Sequence, residues 1–232
     1  MGDERLSVSG MAFRASELSA VAFDLDETLF DRTAAVRALL RDWLGVISQA
    51  EETAILTRDG CGYSPREAFF QWLAAAYPVL DATGEELWAR FRVELPGWLV
   101  PDPAAATLLA RLAADGLRLG VLTDGHAGGQ RAKLRALGLE SCFAPERVVV
   151  TSELAVEKPD ARAFAALVAA LGVPAERVLF VGDHPVKDII GAKASGLQTC
   201  WLRRREPCGE CPVADLVIDS LADFIPLLWP PA

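Results

Sequence analysis

The sequence has no excess of positive charge, no long apolar run and no cysteine framework, and each absence closes off a class of protein. Lysine and arginine number 23 against 32 aspartates and glutamates, a formal net charge of −9 over 232 residues. A surface of that sign repels phosphate backbones and anionic lipid, so neither nucleic acid nor a membrane is expected as a partner. No stretch reaches the roughly 18–20 uninterrupted apolar residues that span a bilayer; Pro174, Glu176 and Arg177, for example, interrupt an apolar region. The N-terminus, MGDERLSVSG, has no apolar h-region and does not read as a secretory signal, and as a loose tail it leaves Met11 an alternative start to Met1. The five cysteines, Cys61, Cys142, Cys200, Cys208 and Cys211, are too few and too scattered for a disulfide scaffold. A reducing cytoplasm is the expected location. Histidine is also scarce, with only His126 and His184.

What is present is apolar residue in plenty, 52% of the chain, enough for a sizeable core. The length suits one large domain or a core with a modest insertion. Val21–Leu25 is a short apolar run ending in polar residues, which predicts a buried strand. Thr33 to Ile47 then has helical spacing, Ser64-Pro65-Arg66-Glu67 reads as an N-cap with proline at the first helical position, and Thr83–Glu86 repeats the capping pattern. No convincing strand occurs between Phe30 and Trp98.

Beyond Pro103 the rhythm alternates. Strands are expected at Leu117–Leu122, Val148–Val150, Val178–Val181, Thr199–Leu202 and Leu216–Ile218. Helices are expected near Ala104–Ala114, Gln130–Leu137, Ala161–Leu171 and Lys187–Ala194. That alternation predicts an α/β fold, a doubly wound parallel sheet with a helical insert after its first strand.

In such a sheet ligands bind at the carboxyl ends of strands, near the switch in strand order. Past the first strand stand Asp24, Asp26 and Thr28; past the next, Thr123, Asp124 and Gly125; near the third, Lys158; past the fourth, Gly182, Asp183 and Asp188. Clustered carboxylates repel one another unless a cation shares their site, and oxygen-only ligation favours a hard cation, Mg2+ first. A carboxylate held at such a site can attack phosphorus, with Lys158 and the cation supplying positive charge to the phosphoryl oxygens and Thr123 a hydrogen bond.

These stretches, DLDETLF (Asp24–Phe30), LTDG (Leu122–Gly125), EKPD (Glu157–Asp160) and GDHPVKD (Gly182–Asp188), resemble in order and placement the four motifs of the haloacid dehalogenase-like superfamily. The resemblance covers nearly all of residues 18–225. It implies a Rossmann-like core, residues 18–30 and 99–232, behind a tail of residues 1–17, with residues 31–98 as a helical C1 cap. It makes Asp24 the nucleophile and a metal ligand, and Asp26 the general acid/base with a backbone carbonyl on the metal. Thr28 positions the carboxylates, Thr123 and Lys158 hold the phosphoryl group, Asp183 binds the metal, and Asp188 is a further ligand or anchor. Dehalogenases of the superfamily lack the second aspartate and need no Mg2+, so Asp26 points to phosphatase or phosphotransferase chemistry. Asp124 departs from the family, where asparagine is common; it falls in the substrate-binding loop, but its extra carboxylate suits a phosphate only if it turns away.

Plainer readings stand beside these. Asp24 and Asp26 could close an Asx-turn, Lys158 could be a solvated lysine, and Asp183 and Asp188 could cap a helix. His126 and His184 read first as ordinary loop histidines, and Cys208-Gly-Glu-Cys211 as a loop without a second ligand pair for zinc. The insert's aromatics, Trp43, Phe69, Phe70, Trp72, Tyr77, Trp88, Phe91 and Trp98, suit a cap core better than a base-stacking pocket. Residues 58–63 serve equally as a substrate-sensing loop or a connector. The expectation is a Mg2+-dependent phosphatase of a small phosphomonoester acting through an aspartyl phosphate, monomer or homodimer. A sugar phosphomutase and a non-catalytic binding scaffold are the alternatives.

Overall fold

The computed structural model describes residues 17–204, 211 and 213–228. Strands β1 Ala20–Phe23, β2 Arg118–Thr123, β3 Val148–Val150, β4 Val178–Gly182, β5 Gln198–Leu202 and β6 Leu216–Ile218 form one parallel sheet in the order β3-β2-β1-β4-β5-β6. Helices are α1 Arg32–Leu44, α2 Gln49–Asp59, α3 Arg66–Ala76, α4 Gly84–Glu94, α5 Pro103–Ala114, α6 Ala127–Ala136, α7 Ala161–Leu171, α8 Gly191–Ala194 and α9 Leu221–Leu228. None among the described residues is long and apolar enough to cross a membrane.

Strand order turns at β1, where Val21 lies opposite Leu119 on one side and Leu179 on the other. Alternate side chains of a strand face opposite sides, and here both sides are covered. Val21 and Phe23 pack with Val121, Leu179 and Val181 under Leu108, Leu112 and Phe224 of α5 and α9. Ala20 and Ala22 pack with Leu122 and Phe180 under Phe164, Leu167 and Leu171 of α7. The doubly wound expectation therefore stands.

Between β1 and α5 the chain is helical. Ser48 and Glu51 form a reciprocal capping box at α2, and Thr83 and Glu86 form another at α4, each serine or threonine oxygen accepting from the N3 amide. The expected Ser64 cap is not made. Pro65, with φ −53° and ψ 116°, takes the cap position, so α3 begins at Arg66. Phe70 centres an aromatic cluster, its ring 4.9 Å from Phe69, 5.2 Å from Trp88 and 5.1 Å from Phe91. Trp43, Trp72 and Tyr77 extend that cluster, so these side chains are packing material first; Trp98 is half-exposed.

Two expected helices differ in detail. The one after β2 starts earlier, at Ala127, even though Gly128 and Gly129 in its first turn are poor helix formers. The segment expected as helix from Lys187 opens as a wider π-type turn over Pro185–Ile190 before α8, a local distortion of the kind that recurs at functional sites.

Candidate active site

The site is assembled from the carboxyl ends of β1, β2 and β4. After β1, the Asp24 amide still donates to Val181 O, continuing the ladder by one residue. The chain then reverses. Glu27 takes a left-handed φ of 66°, and the Thr28 and Leu29 amides turn back to Leu25 O. The Glu27 carboxylate accepts from both the amide and hydroxyl of Thr33 at 2.7 Å, which compensates a conformation that side-chain-bearing residues seldom adopt. This tight loop keeps Asp24, Asp26 and Thr28 together, and Thr28 Oγ1 donates to Asp24 Oδ2 at 3.2 Å.

Lys158 reaches this loop from beyond β3. Its ammonium lies 2.5 Å from Asp24 Oδ1 and 2.7 Å from Asp188 Oδ1, all three side chains buried. Burial opposes the Lys158 charge, but Asp188 and Asp24 outweigh it and hold the lysine protonated above its ordinary range. Asp188 arrives on the turn after β4, with Oδ2 accepting from the His184 amide. Gly182 permits this approach, since a Cβ there would stand 2.5 Å from the Asp188 side chain. The solvated-lysine reading of Lys158 fails on these contacts, while Asp188 does both things, accepting the amide of the N-cap residue His184 and pairing with Lys158.

One ammonium does not balance three carboxylates. Asp24, Asp183 and Asp188 each offer an oxygen within 4.8 Å of the others. Asp183 Oδ1 is buried with no hydrogen-bond partner among the described residues. Burial and the neighbouring aspartates push Asp24 up to about 7 and Asp183 well above the carboxylate range. An orphaned buried oxygen and an all-oxygen donor set are what a hard divalent cation fits. The Asp26 side chain, by contrast, stands outside this cluster.

Asp26 faces α6 instead. Lys133 Nζ donates to its two oxygens at 2.6 and 2.7 Å, and Gln130 Nε2 to Oδ2 at 2.8 Å. Burial alone would raise Asp26, but Lys133, Arg32 and Gln130 together hold it below its ordinary range. Thr123 is buried, with Oγ1 accepting from the same Gln130 amide at 2.6 Å. Asp124 turns aside: Oδ1 accepts from Thr151 Oγ1 and the Lys158 amide, and Oδ2 from Lys187 Nζ at 3.0 Å. Its carboxylate braces the Lys158 loop, which answers the repulsion anticipated for an aspartate there.

These groups open into a cleft of about 490 Å³ beneath the helices that follow β1. Arg32 and Arg66 meet on the buried Asp59, each with a 2.6 Å contact, at one wall of the cleft. Tyr63, in the 58–63 segment, stands edge-on to His184 at 4.7 Å and under the Lys187 ammonium at 4.9 Å, so that segment touches the strand-end loops. Tyr63 itself is 41% exposed at the mouth of the cleft. His184 Nδ1 accepts from the Val186 and Lys187 amides, a capping role; His126 lines the cleft. Cys211 is buried beside Ile189 and Trp201, while Cys208 lies outside the described residues.

Motif reading missed Gln130, Lys133, Lys187 and the Arg32–Asp59–Arg66 cluster. Gln130 and Lys133 left a signal, since residues three apart share a helix face and theirs follows the LTDG loop. Arg32 and Asp59 left none, being partners only through the packing of α1 on α2.

A parallel sheet with buried carboxylates, a lysine and a threonine gathered at its switch point defines an α/β enzyme. The family profile described as haloacid dehalogenase-like hydrolase matches residues 18–196. The chain is 30% identical over 226 residues to the glyceraldehyde 3-phosphate phosphatase of Methanopyrus kandleri, covering 90% of this chain and 96% of that one. It is 35% identical over 224 residues to the phosphoglycolate phosphatase of Rhodospirillum rubrum, covering 89% and 90%. The crystal structure of a HAD phosphatase from Thermococcus onnurineus superposes with a TM-score of 0.64 at 26% identity, over 91% of this chain and 98% of that chain. The chain belongs to the haloacid dehalogenase-like hydrolases, as its four motifs imply.

Proposed function

We propose that this hydrolase is a Mg2+-dependent phosphatase of small phosphomonoesters, working through a phosphoryl group carried on Asp24. The observation that carries the reading is the Asp24 carboxylate itself, buried, flanked by Lys158 and Thr28, and opening with Asp26 and Thr123 onto one cleft. Asp24 attacks phosphorus in line with the ester oxygen. Thr123 and Lys158 hold the phosphoryl oxygens, while Asp26 gives the departing oxygen its proton and then takes one from the attacking water. Mg2+, held by Asp24, Asp183 and the Asp26 carbonyl with Asp188 beside them, would draw negative charge from the phosphoryl oxygens.

Residues 31–98 act as the cap and residues 18–30 and 99–232 as the catalytic core. The Tyr63 contact with His184 and Lys187 is where the cap would meet the core over bound substrate, excluding bulk water. The substrate is a small soluble metabolite, met in the cytoplasm. Glyceraldehyde 3-phosphate and phosphoglycolate, named in its relatives, are the first to try.

The test is phosphate release from an aryl phosphate and a panel of metabolite monoesters, with Mg2+ and with chelator, for wild type and Asp24→Asn. Mg2+-dependent turnover that disappears in Asp24→Asn supports the reading. An isomerised product without phosphate release would replace it with a mutase, and no turnover of any kind with a binding scaffold.

A further inference from the structure

Among the described residues, the general acid/base proposed above takes its side-chain hydrogen bonds from Gln130 and Lys133, which lie outside the four motifs. Gln130 and Lys133 stand three apart on α6, hence on one face, and that face looks at the end of β1. Lys133 bonds both Asp26 oxygens. Gln130 uses its amide nitrogen twice, once on Asp26 Oδ2 and once on Thr123 Oγ1 at 2.6 Å. An amide nitrogen has two protons to give, so both are spent on these partners. Gln130 is buried and the Lys133 side chain is only 14% exposed, which keeps water from replacing either donor.

Three donor contacts at fixed positions leave the Asp26 carboxylate no freedom to rotate. The Gln130 bridge also sets the distance between that carboxylate and the hydroxyl that grips the phosphoryl group. We propose that Gln130 and Lys133 are positioning residues that hold Asp26 in line with the ester oxygen and in register with Thr123. The inference rests on the function proposed above for its chemistry, and on geometry alone for the placement.

In the first step the phosphorus–ester oxygen bond breaks as phosphorus bonds to Asp24, and the ester oxygen takes from Asp26 a proton that the bound phosphate monoanion has first passed to that carboxylate, which rests ionised between Lys133 and Gln130. In the second a water oxygen bonds to phosphorus, the Asp24 bond breaks, and Asp26 takes the water's proton. An alkoxide leaving group needs its proton badly, whereas 4-nitrophenolate leaves almost without one. Misplacing Asp26 should therefore penalise alkyl esters selectively.

The experiment compares kcat/KM, which reports the first step, for an alkyl phosphate such as glycerol 3-phosphate and for 4-nitrophenyl phosphate. The variants are Gln130→Leu, Lys133→Met and Lys133→Arg. The alkyl ester is expected to lose about 10²-fold in Gln130→Leu and Lys133→Met, at least about ten times more than the aryl ester loses. Lys133→Arg should recover part of the loss. Equal losses for the two esters, or none, would overturn the inference. A crystal structure of the Gln130→Leu/Lys133→Met variant gives an answer independent of turnover: Asp26 is expected to leave its wild-type rotamer, and an unmoved carboxylate refutes the idea. Wild-type protein inert toward every monoester of the panel would sink the proposed function and leave the placement to that structure.

Discussion

The Lys158 ammonium and the Asp24 carboxylate are 2.5 Å apart at the buried end of β1, and the same ammonium is 2.7 Å from Asp188. One positive charge thus stands between two negative ones, with a third, Asp183, lacking a hydrogen-bond partner for one of its oxygens among the described residues. A deficit of positive charge at the buried floor of the cleft governs how this centre responds to substitution, acidity and cations.

Replacing Asp24 by asparagine removes the nucleophile and one of the repelling charges together. Phosphate release is expected to fall by more than about 10³-fold, while the melting temperature in chelator stays level or rises. A melting temperature that collapsed would mean that Asp24 is needed for folding rather than for chemistry.

Lys158→Met should do the reverse. It strands Asp24 and Asp188 without their counter-charge, a loss of roughly 3–5 kcal/mol for a buried pair broken on one side. Combining it with Asp24→Asn should return part of that stability, because the pair is coupled. Urea denaturation of the two single variants and the double variant measures the coupling; strict additivity would contradict the contact.

Asp124 separates shape from charge. Asp124→Asn keeps an oxygen for Thr151 and the Lys158 amide and loses only the Lys187 ion pair, so activity near wild type is expected. Asp124→Ala removes the brace, and kcat should drop by about 10- to 100-fold, as is usual for groups that orient a site at one remove. Similar kinetics for both variants would show that the charge, not the brace, matters.

Acidity and Mg2+ should act against each other. Burial first, and neighbouring carboxylates after it, push Asp24 up to about 7 and Asp183 upward, whereas both titrate at the ordinary 3.8 when unfolded. Across that window the folded state binds more protons, so cation-free protein loses stability as pH rises from about 4 to 7. Mg2+ competes with those protons, and its stabilising effect should be larger near pH 8 than near pH 5. Thermal melts with Mg2+ and with chelator at both pH values check this; an increment independent of pH would count against a cation on these carboxylates.

Much of this site is readable in the chain because its motifs directly follow strands so apolar that their ends are unmistakable. Val178–Gly182 is buried throughout, and whatever follows it must emerge at the sheet edge. Asp24 and Asp183, each the first residue past its strand, are legible for that reason, whereas Lys158 and Asp188 lie further on and are legible through the motifs that contain them. Gln130 was not, because its role depends on how α6 docks, and two glycines hid where that helix begins. Asp59 was the least legible, since a buried aspartate between two arginines is the product of three separately folded segments meeting. The Ser64 cap failed for a local reason, a proline whose ψ left no helical turn to receive it.

The central place of β1 has a consequence for how the protein is made. Its neighbours are β2 and β4, with Ala20 opposite Arg118 and Val178, so the first strand synthesised waits for partners far along the chain. Such long-range pairing slows folding and leaves an open strand edge meanwhile. A nascent chain that ends before Val178 holds Asp24 but lacks the second sheet neighbour of β1 together with Asp183 and Asp188. Truncated products would accordingly be sticky and inert, never half-active, and a cell would meet them as clients for chaperones and proteases.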